Sequence, residues 1–154
     1  MNTRHIHIVG GGVGGLALGT RLRQLGVKTR ISESGTYPRH RVCGEFISGR
    51  GVELLRKLDL FEPLLRSGGR MAKTMKFFGA RAISPEIQMP QPALCISRYA
   101  MDLIMSDQFK AMGGELSTGQ RVPPDKYLDE GTVLATGRKP NTEKGATWTG
   151  YKFH

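Results

Sequence analysis

A chain of 154 residues with 38% apolar side chains can bury one hydrophobic core and is short for more than one domain. Its 23 Lys and Arg against 13 Asp and Glu leave a formal net charge of +10, a balance that suits nucleic acid, a membrane surface or an anionic cofactor. The basic residues are scattered, and the densest cluster, Arg39-His40-Arg41, lies beside a glycine motif rather than on an aromatic-studded helix or strand, which argues against nucleic acid.

In chain order, Ile6-His7-Ile8-Val9 reads as a strand that stops at Gly10, and Leu16 to Leu25 reads as a helix. Between them Gly10, Gly12 and Gly15 spell G-x-G-x-x-G, the turn that opens a dinucleotide-binding βαβ unit. The first glycine permits the tight turn, the second lets backbone approach a pyrophosphate, and the third lets helix and strand pack closely. Phosphates then rest on unpaired N–H groups at the positive end of a helix. A second strand, Val27 to Ile31, leads to Glu33, 18 residues after Gly15, where an acid grips ribose hydroxyls and repels a 2′-phosphate.

Gly35 to Gly49 reads as a loop, and Val52 to Leu58 as a short helix, with Pro63 marking irregular chain beyond it. Ala72 to Gly79 and Glu86 to Met89 read as strands of a different sheet, separated by Pro85 and closed by Pro90 and Pro92. Met101, Ile104, Met105, Gln108, Phe109 and Met112 share one helical face, with Asp102, Ser106, Asp107 and Lys110 opposite. The methionine stripe reads as core packing, and Gly113-Gly114 ends the helix. Glu115 to Val122 and Thr132 to Gly137 read as further strands, the latter buried and ending on small residues. The fold class expected is α/β, with a parallel sheet and a partial excursion, residues 70–95, into a second small sheet.

Cys43 and Cys95 are too few for a disulfide framework, which points to a reducing cytoplasm. No apolar run approaches the roughly 20 residues of a membrane helix, although the basic surface leaves peripheral membrane contact open. His5, His7, His40 and His154 are scattered singly, so no metal site is expected.

Four segments, Gly10 to Glu33, Arg41 to Phe46, Ile96-Ser97-Arg98-Tyr99 and Ala135-Thr136-Gly137-Arg138, occur in the order that resembles the flavoprotein monooxygenase and geranylgeranyl reductase superfamily. The resemblance implies a Rossmann-like FAD-binding domain over residues 1–154, with FAD as cofactor and residues 70–95 on the substrate side. It implies that Gly10, Gly12, Val13 and Gly14 present backbone to the FAD pyrophosphate, with Gly15 packing behind them, and that Glu33 with Ser34 holds the adenosine ribose. Arg41, Cys43 and Gly44 resemble the segment that passes the ribityl chain and flavin. Arg98 matches an arginine approaching the cofactor, Val122 ends the strand near adenine, and Ala135, Thr136 and Gly137 are small because the cofactor lies against them. A full enzyme of this kind takes electrons from NAD(P)H and reduces or hydroxylates a small molecule, which the sequence leaves unidentified.

Three features depart from the superfamily. The chain contains no Gly-Asp dipeptide, Arg121 to Gly131 is too short and polar for the expected β-meander, and Trp148 to His154 resembles the first strand of a substrate domain. They imply a truncated or internally deleted enzyme without efficient turnover of its own. A non-catalytic module holding FAD, NAD or ADP is the alternative, and no residue reads as a general acid or base.

Overall fold

The computed structural model describes residues 5–43, 45–123 and 130–137. The expectations placed on Gly44, on Arg138 and on 148–154 lie outside the described residues. In chain order the elements are β1 (Ile6–Val9), α1 (Val13–Gln24), β2 (Thr29–Ser32), β3 (Phe46–Ile47), α2 (Arg50–Lys57), α3 (Phe61–Arg66), β4 (Arg70–Met75), β5 (Ile87–Cys95), α4 (Arg98–Ala111), β6 (Glu115–Ser117) and β7 (Thr132–Leu134).

β1, β2, β6 and β7 form an all-parallel sheet in the order β6-β2-β1-β7, with Ile8 opposite Ile31 and Val133. Parallel strands need crossover connections, and helices α1 and α4 supply apolar faces to cover the sheet. Ile8, Leu16, Ile31, Met101, Met105 and Phe109 are buried together there. α1 lies close to the sheet because Gly19 has no side chain; a Cβ at that position would stand 2.8 Å from Ile31 Cδ1 and 2.9 Å from Phe109 Cε2. A second sheet, β3-β5-β4, is antiparallel. Together the two sheets give the α/β, Rossmann-like architecture with a small second sheet that the sequence implies.

Several boundaries differ from those read off the sequence. Pro90 and Pro92 lie inside β5 rather than closing it. They fall in the irregular stretch where the register steps from Ala72 opposite Ala93 to Thr74 opposite Gln88, and a bulge is where a strand tolerates residues without an N–H. Pro63 lies within α3, in its first turn, where the missing N–H has no helical partner to lose. Asp102 and Ser106 are buried rather than solvent-facing. The strand of β7 is half-buried, with Leu134 exposed, because it is an edge of the parallel sheet.

The strand starting at Glu115 ends at Ser117, so Val122 belongs to no strand. The chain turns away at Gly119, whose φ is +71°. There Gly119 N–H donates to the Gly35 carbonyl at 3.0 Å and Gln120 N–H to the Glu33 carbonyl at 3.1 Å. Those bonds wrap the segment around Glu33 instead of extending the ladder.

Candidate dinucleotide-binding site

In an open parallel sheet, ligands bind outside the carboxyl ends of the strands, where the strand order reverses. Here β1 is followed in sequence by β2 on one side, while β7 joins on the other. The residues leaving those carboxyl ends are Gly10 after β1, Glu33 after β2 and Ala135 after β7. Backbone bonds tie them together: Gly10 N–H to the Ser32 carbonyl, Glu33 N–H to the Ser117 carbonyl and Ala135 N–H to the Val9 carbonyl, each at 2.8 Å.

The glycines of the turn divide into two kinds. Gly10 has φ +109°, and a Cβ there would overlap the Ala135 carbonyl; one at Gly15 would overlap the Gly10 carbonyl oxygen. These two are required for packing. At Gly12 and Gly14 a Cβ would meet nothing within 4 Å, so their bareness faces open space. α1 begins at this opening with Gly12 as N-cap, with no side-chain cap and no acidic residue in its first turn. α4, by contrast, is capped by Ser97 Oγ, which accepts from Ala100 N–H at 3.2 Å. The uncapped N–H groups of α1 match the needs of a bound phosphate, and this half of the site fits a dinucleotide.

Glu33 is only 3% exposed. Its Oε2 accepts the Gly11 N–H at 2.7 Å, and Oε1 accepts Arg39 Nη1 at 2.6 Å, Gly35 N–H at 2.8 Å and Ser34 Oγ at 3.2 Å. Burial pushes the carboxyl's pKa up, but the hydrogen bonds from Arg39, Gly35 and Gly11 and the Arg39 charge together bring it down from 4.5 to about 2. A depressed carboxyl stabilises the fold fully above pH 4.5, and that contribution disappears as the pH falls toward 2. Wild type should therefore lose roughly 3 kcal/mol over this interval beyond what Glu33→Gln loses. Urea titrations of both proteins across acid pH check this; parallel curves would disprove it.

The other expected site residues are placed as follows. Arg41 is exposed and Cys43 half-buried, with Cys43 Sγ accepting the Glu45 N–H at 3.5 Å. Arg98 turns its guanidinium onto the fully buried Asp102, with Nε to Oδ1 and Nη2 to Oδ2 both at 2.8 Å. The hydrogen bonds that Arg98 donates to Asp102 raise the Arg98 pKa further. Ala135 is half-buried against the turn, while Thr136 and Gly137 are exposed and Gly137 has φ +78°.

Sequence reading missed Tyr37, Arg39, Glu45 and Asp102. Tyr37 hydroxyl donates to the Gly11 carbonyl, and Arg39 lies 5.4 Å over the Tyr37 ring. Glu45 Oε1 accepts the Arg98 N–H at the start of α4 at 2.9 Å. The i, i+4 spacing of Arg98 and Asp102 was an available signal for their pairing; nothing local marks Arg39 as the partner of Glu33.

A parallel sheet with a bare glycine turn, an uncapped helix start and an acid after the second strand defines a dinucleotide-binding domain. Residues 3–146 match the model of a single family, described as the FAD binding domain, and the chain belongs to that family. Its cofactor is FAD. No curated protein matches the chain in sequence. Among solved structures it is similar to the tetrameric form of 2-methyl-3-hydroxypyridine-5-carboxylic acid oxygenase, at 21% identity and TM-score 0.69, over 77% of this chain and 32% of that one. It is also similar to PqsL, "a probable FAD-dependent monooxygenase from Pseudomonas aeruginosa", at 16% identity and TM-score 0.67, over 78% and 34% of the two chains. A flavoprotein/dehydrogenase from Cytophaga hutchinsonii matches at 19% identity and TM-score 0.68, over 78% and 31%. The chain thus spans about a third of the length of these structures. At such identities the likeness shows the fold.

Proposed function

We propose that this chain is the FAD-binding part of a flavin-dependent oxidoreductase of the monooxygenase type, with NAD(P)H as electron donor and a small molecule as substrate. The observation that carries the reading is the open, uncapped start of α1 at the carboxyl edge of the parallel sheet, within a chain of the FAD binding domain family. The names of two similar structures, an oxygenase and an FAD-dependent monooxygenase, favour hydroxylation over the alkene reduction typical of geranylgeranyl reductases. Bound FAD supplies the redox chemistry, and the protein binds and orients it.

In this reading the N–H groups after Gly12, at Val13 and Gly14, receive the pyrophosphate, and Gly10 and Gly15 keep strand and helix close enough to form the cradle. Glu33, flanked by Ser34, takes the adenosine ribose. Ala135, Thr136 and Gly137 form the small-residue floor after β7, and Arg41 and Cys43 lie toward the flavin. Arg98 acts through its pairing with Asp102, which fixes the start of α4 behind that segment. Among the described residues no helix is long and apolar enough to cross a membrane, and the cytoplasm is the compartment proposed.

The purified protein should be yellow, or turn yellow on adding FAD, and should release FAD on denaturation. Glu33→Ala should weaken ADP binding at least tenfold, the loss of a charge-assisted hydrogen bond of roughly 1.5 to 3 kcal/mol. Titration calorimetry giving the same ADP affinity for both proteins would remove Glu33 from the site.

A further inference from the structure

The two halves of the site are in different states. Gly12 and Gly14, on the phosphate side, face open space, whereas a Cβ at Gly11 would overlap the Tyr37 hydroxyl and stand 3.0 Å from Glu33 Cβ. The segment Tyr37-Pro38-Arg39 is therefore folded down over the ribose side of the turn.

The acid beneath it has little capacity left. A carboxylate offers about four lone-pair positions, two on each oxygen. Oε1 already has three donors and Oε2 one, the Gly11 N–H. A ribose diol bound through both hydroxyls needs two acceptor positions, and only one is open. Of the donors, those of Gly11 and Gly35 are backbone groups fixed by the turn and by the neighbouring residue, whereas the hydroxyl of the exposed Ser34, the longest contact at 3.2 Å, is free to turn to water and leave a second Oε1 position to the diol once Arg39 has gone. The Arg39 guanidinium is the one on a long side chain.

Arg39 is also incompletely satisfied where it stands. Its Nε and Nη2 are buried without a hydrogen-bond partner among the described residues, and unpaired buried donors carry a desolvation cost that departure to water would relieve. The contact to Glu33 is strong, but the guanidinium as a whole is poorly served.

We propose that Arg39, strapped down by Tyr37, is a displaceable counter-ion that occupies the ribose acid in the free protein and yields Glu33 Oε1 to the diol of an incoming adenine nucleotide. Arg39 then sets how much of the diol's binding energy appears as affinity. The inference rests on Glu33 being the ribose acid, as proposed above.

The sign of a substitution separates this from a merely supportive role. Arg39→Met removes the competing donor and keeps an apolar stem over the turn. It should bind ADP about tenfold more tightly than wild type, the worth of one charge-assisted hydrogen bond no longer given up. Binding of 2′,3′-dideoxy-ADP, which has no diol and does not require Glu33, should be unchanged. Tyr37→Phe, which loses only the hydroxyl's bond to the Gly11 carbonyl, should show a smaller gain, again confined to ADP, and decides the matter should Arg39→Met fail to fold. Equal or weaker ADP binding in these variants, or an equal change for both nucleotides, overturns the proposal while leaving the site intact. If no variant binds either nucleotide, the reading of the site itself falls, and the role of Arg39 with it.

Discussion

Gly12→Val is expected to weaken ADP and FAD binding by about 100-fold in a protein that still folds. The backbone at Gly12 has φ −76°, ordinary for any residue, and no atom of the chain lies within 4 Å of where its Cβ would be. As N-cap to α1 the substitution costs at most about 1 kcal/mol of stability. The isopropyl group, however, would stand in the space that the proposed function gives to the phosphates. Overpacking of that kind costs about 3 kcal/mol at its upper range, roughly 100-fold in Kd. Titration calorimetry and a thermal melt of the same sample check both halves, and undiminished ADP affinity would move the pyrophosphate elsewhere.

Three residues along, the same substitution should have the opposite character. A Cβ at Gly15 would overlap the Gly10 carbonyl oxygen and approach Ala135 Cβ to 3.3 Å. These are backbone and close-packed atoms that cannot rotate away, so α1 must lift from β1 and loosen the core between them. Gly15→Val should cost at least about 3 kcal/mol, a large part of the roughly 5 to 15 kcal/mol that holds a domain together. Circular dichroism melts measure this; a melting temperature equal to wild type would show that helix and strand are not in the contact described.

These two glycines also mark what the sequence makes legible. β1, the turn, α1, β2 and Glu33 can be read because each requirement is local: a β-branched run, a spacing, an acid at a fixed distance. β3 cannot, since Phe46 and Ile47 are a strand only by pairing with Cys95 and Leu94 far along the chain. Pro90 and Pro92 look like terminators until β4 is seen to step past them through a bulge. Asp102 and Ser106 look solvent-facing from helical periodicity alone. The former is buried because Arg98, one turn earlier, neutralises it; the latter because its hydroxyl is satisfied locally by the Leu103 carbonyl at 2.7 Å. Arg39 looks like part of a basic surface cluster, and only the fold of 34–39 brings it onto Glu33. The bare glycine turn was legible in the sequence, but the covering of Gly11 and Glu33 by Tyr37 and Arg39 was not.

The prolines of β5 have a consequence for the open edge of the second sheet. Among the described residues β3 pairs with β5 at Leu94 and Cys95, and the rest of that flank has no neighbouring strand. At the far end of the same hairpin Phe77, Phe78 and Ile83 are 62%, 74% and 63% exposed, apolar surface of the kind that draws molecules together. An uncovered strand normally lets such an encounter grow by backbone pairing, one chain templating the next. Pro90 and Pro92 fall within that stretch, and prolines on an edge are one of the ways such pairing is blunted. The uncovered part of β5 is thus a poorer template for backbone pairing than an unbroken strand of the same length.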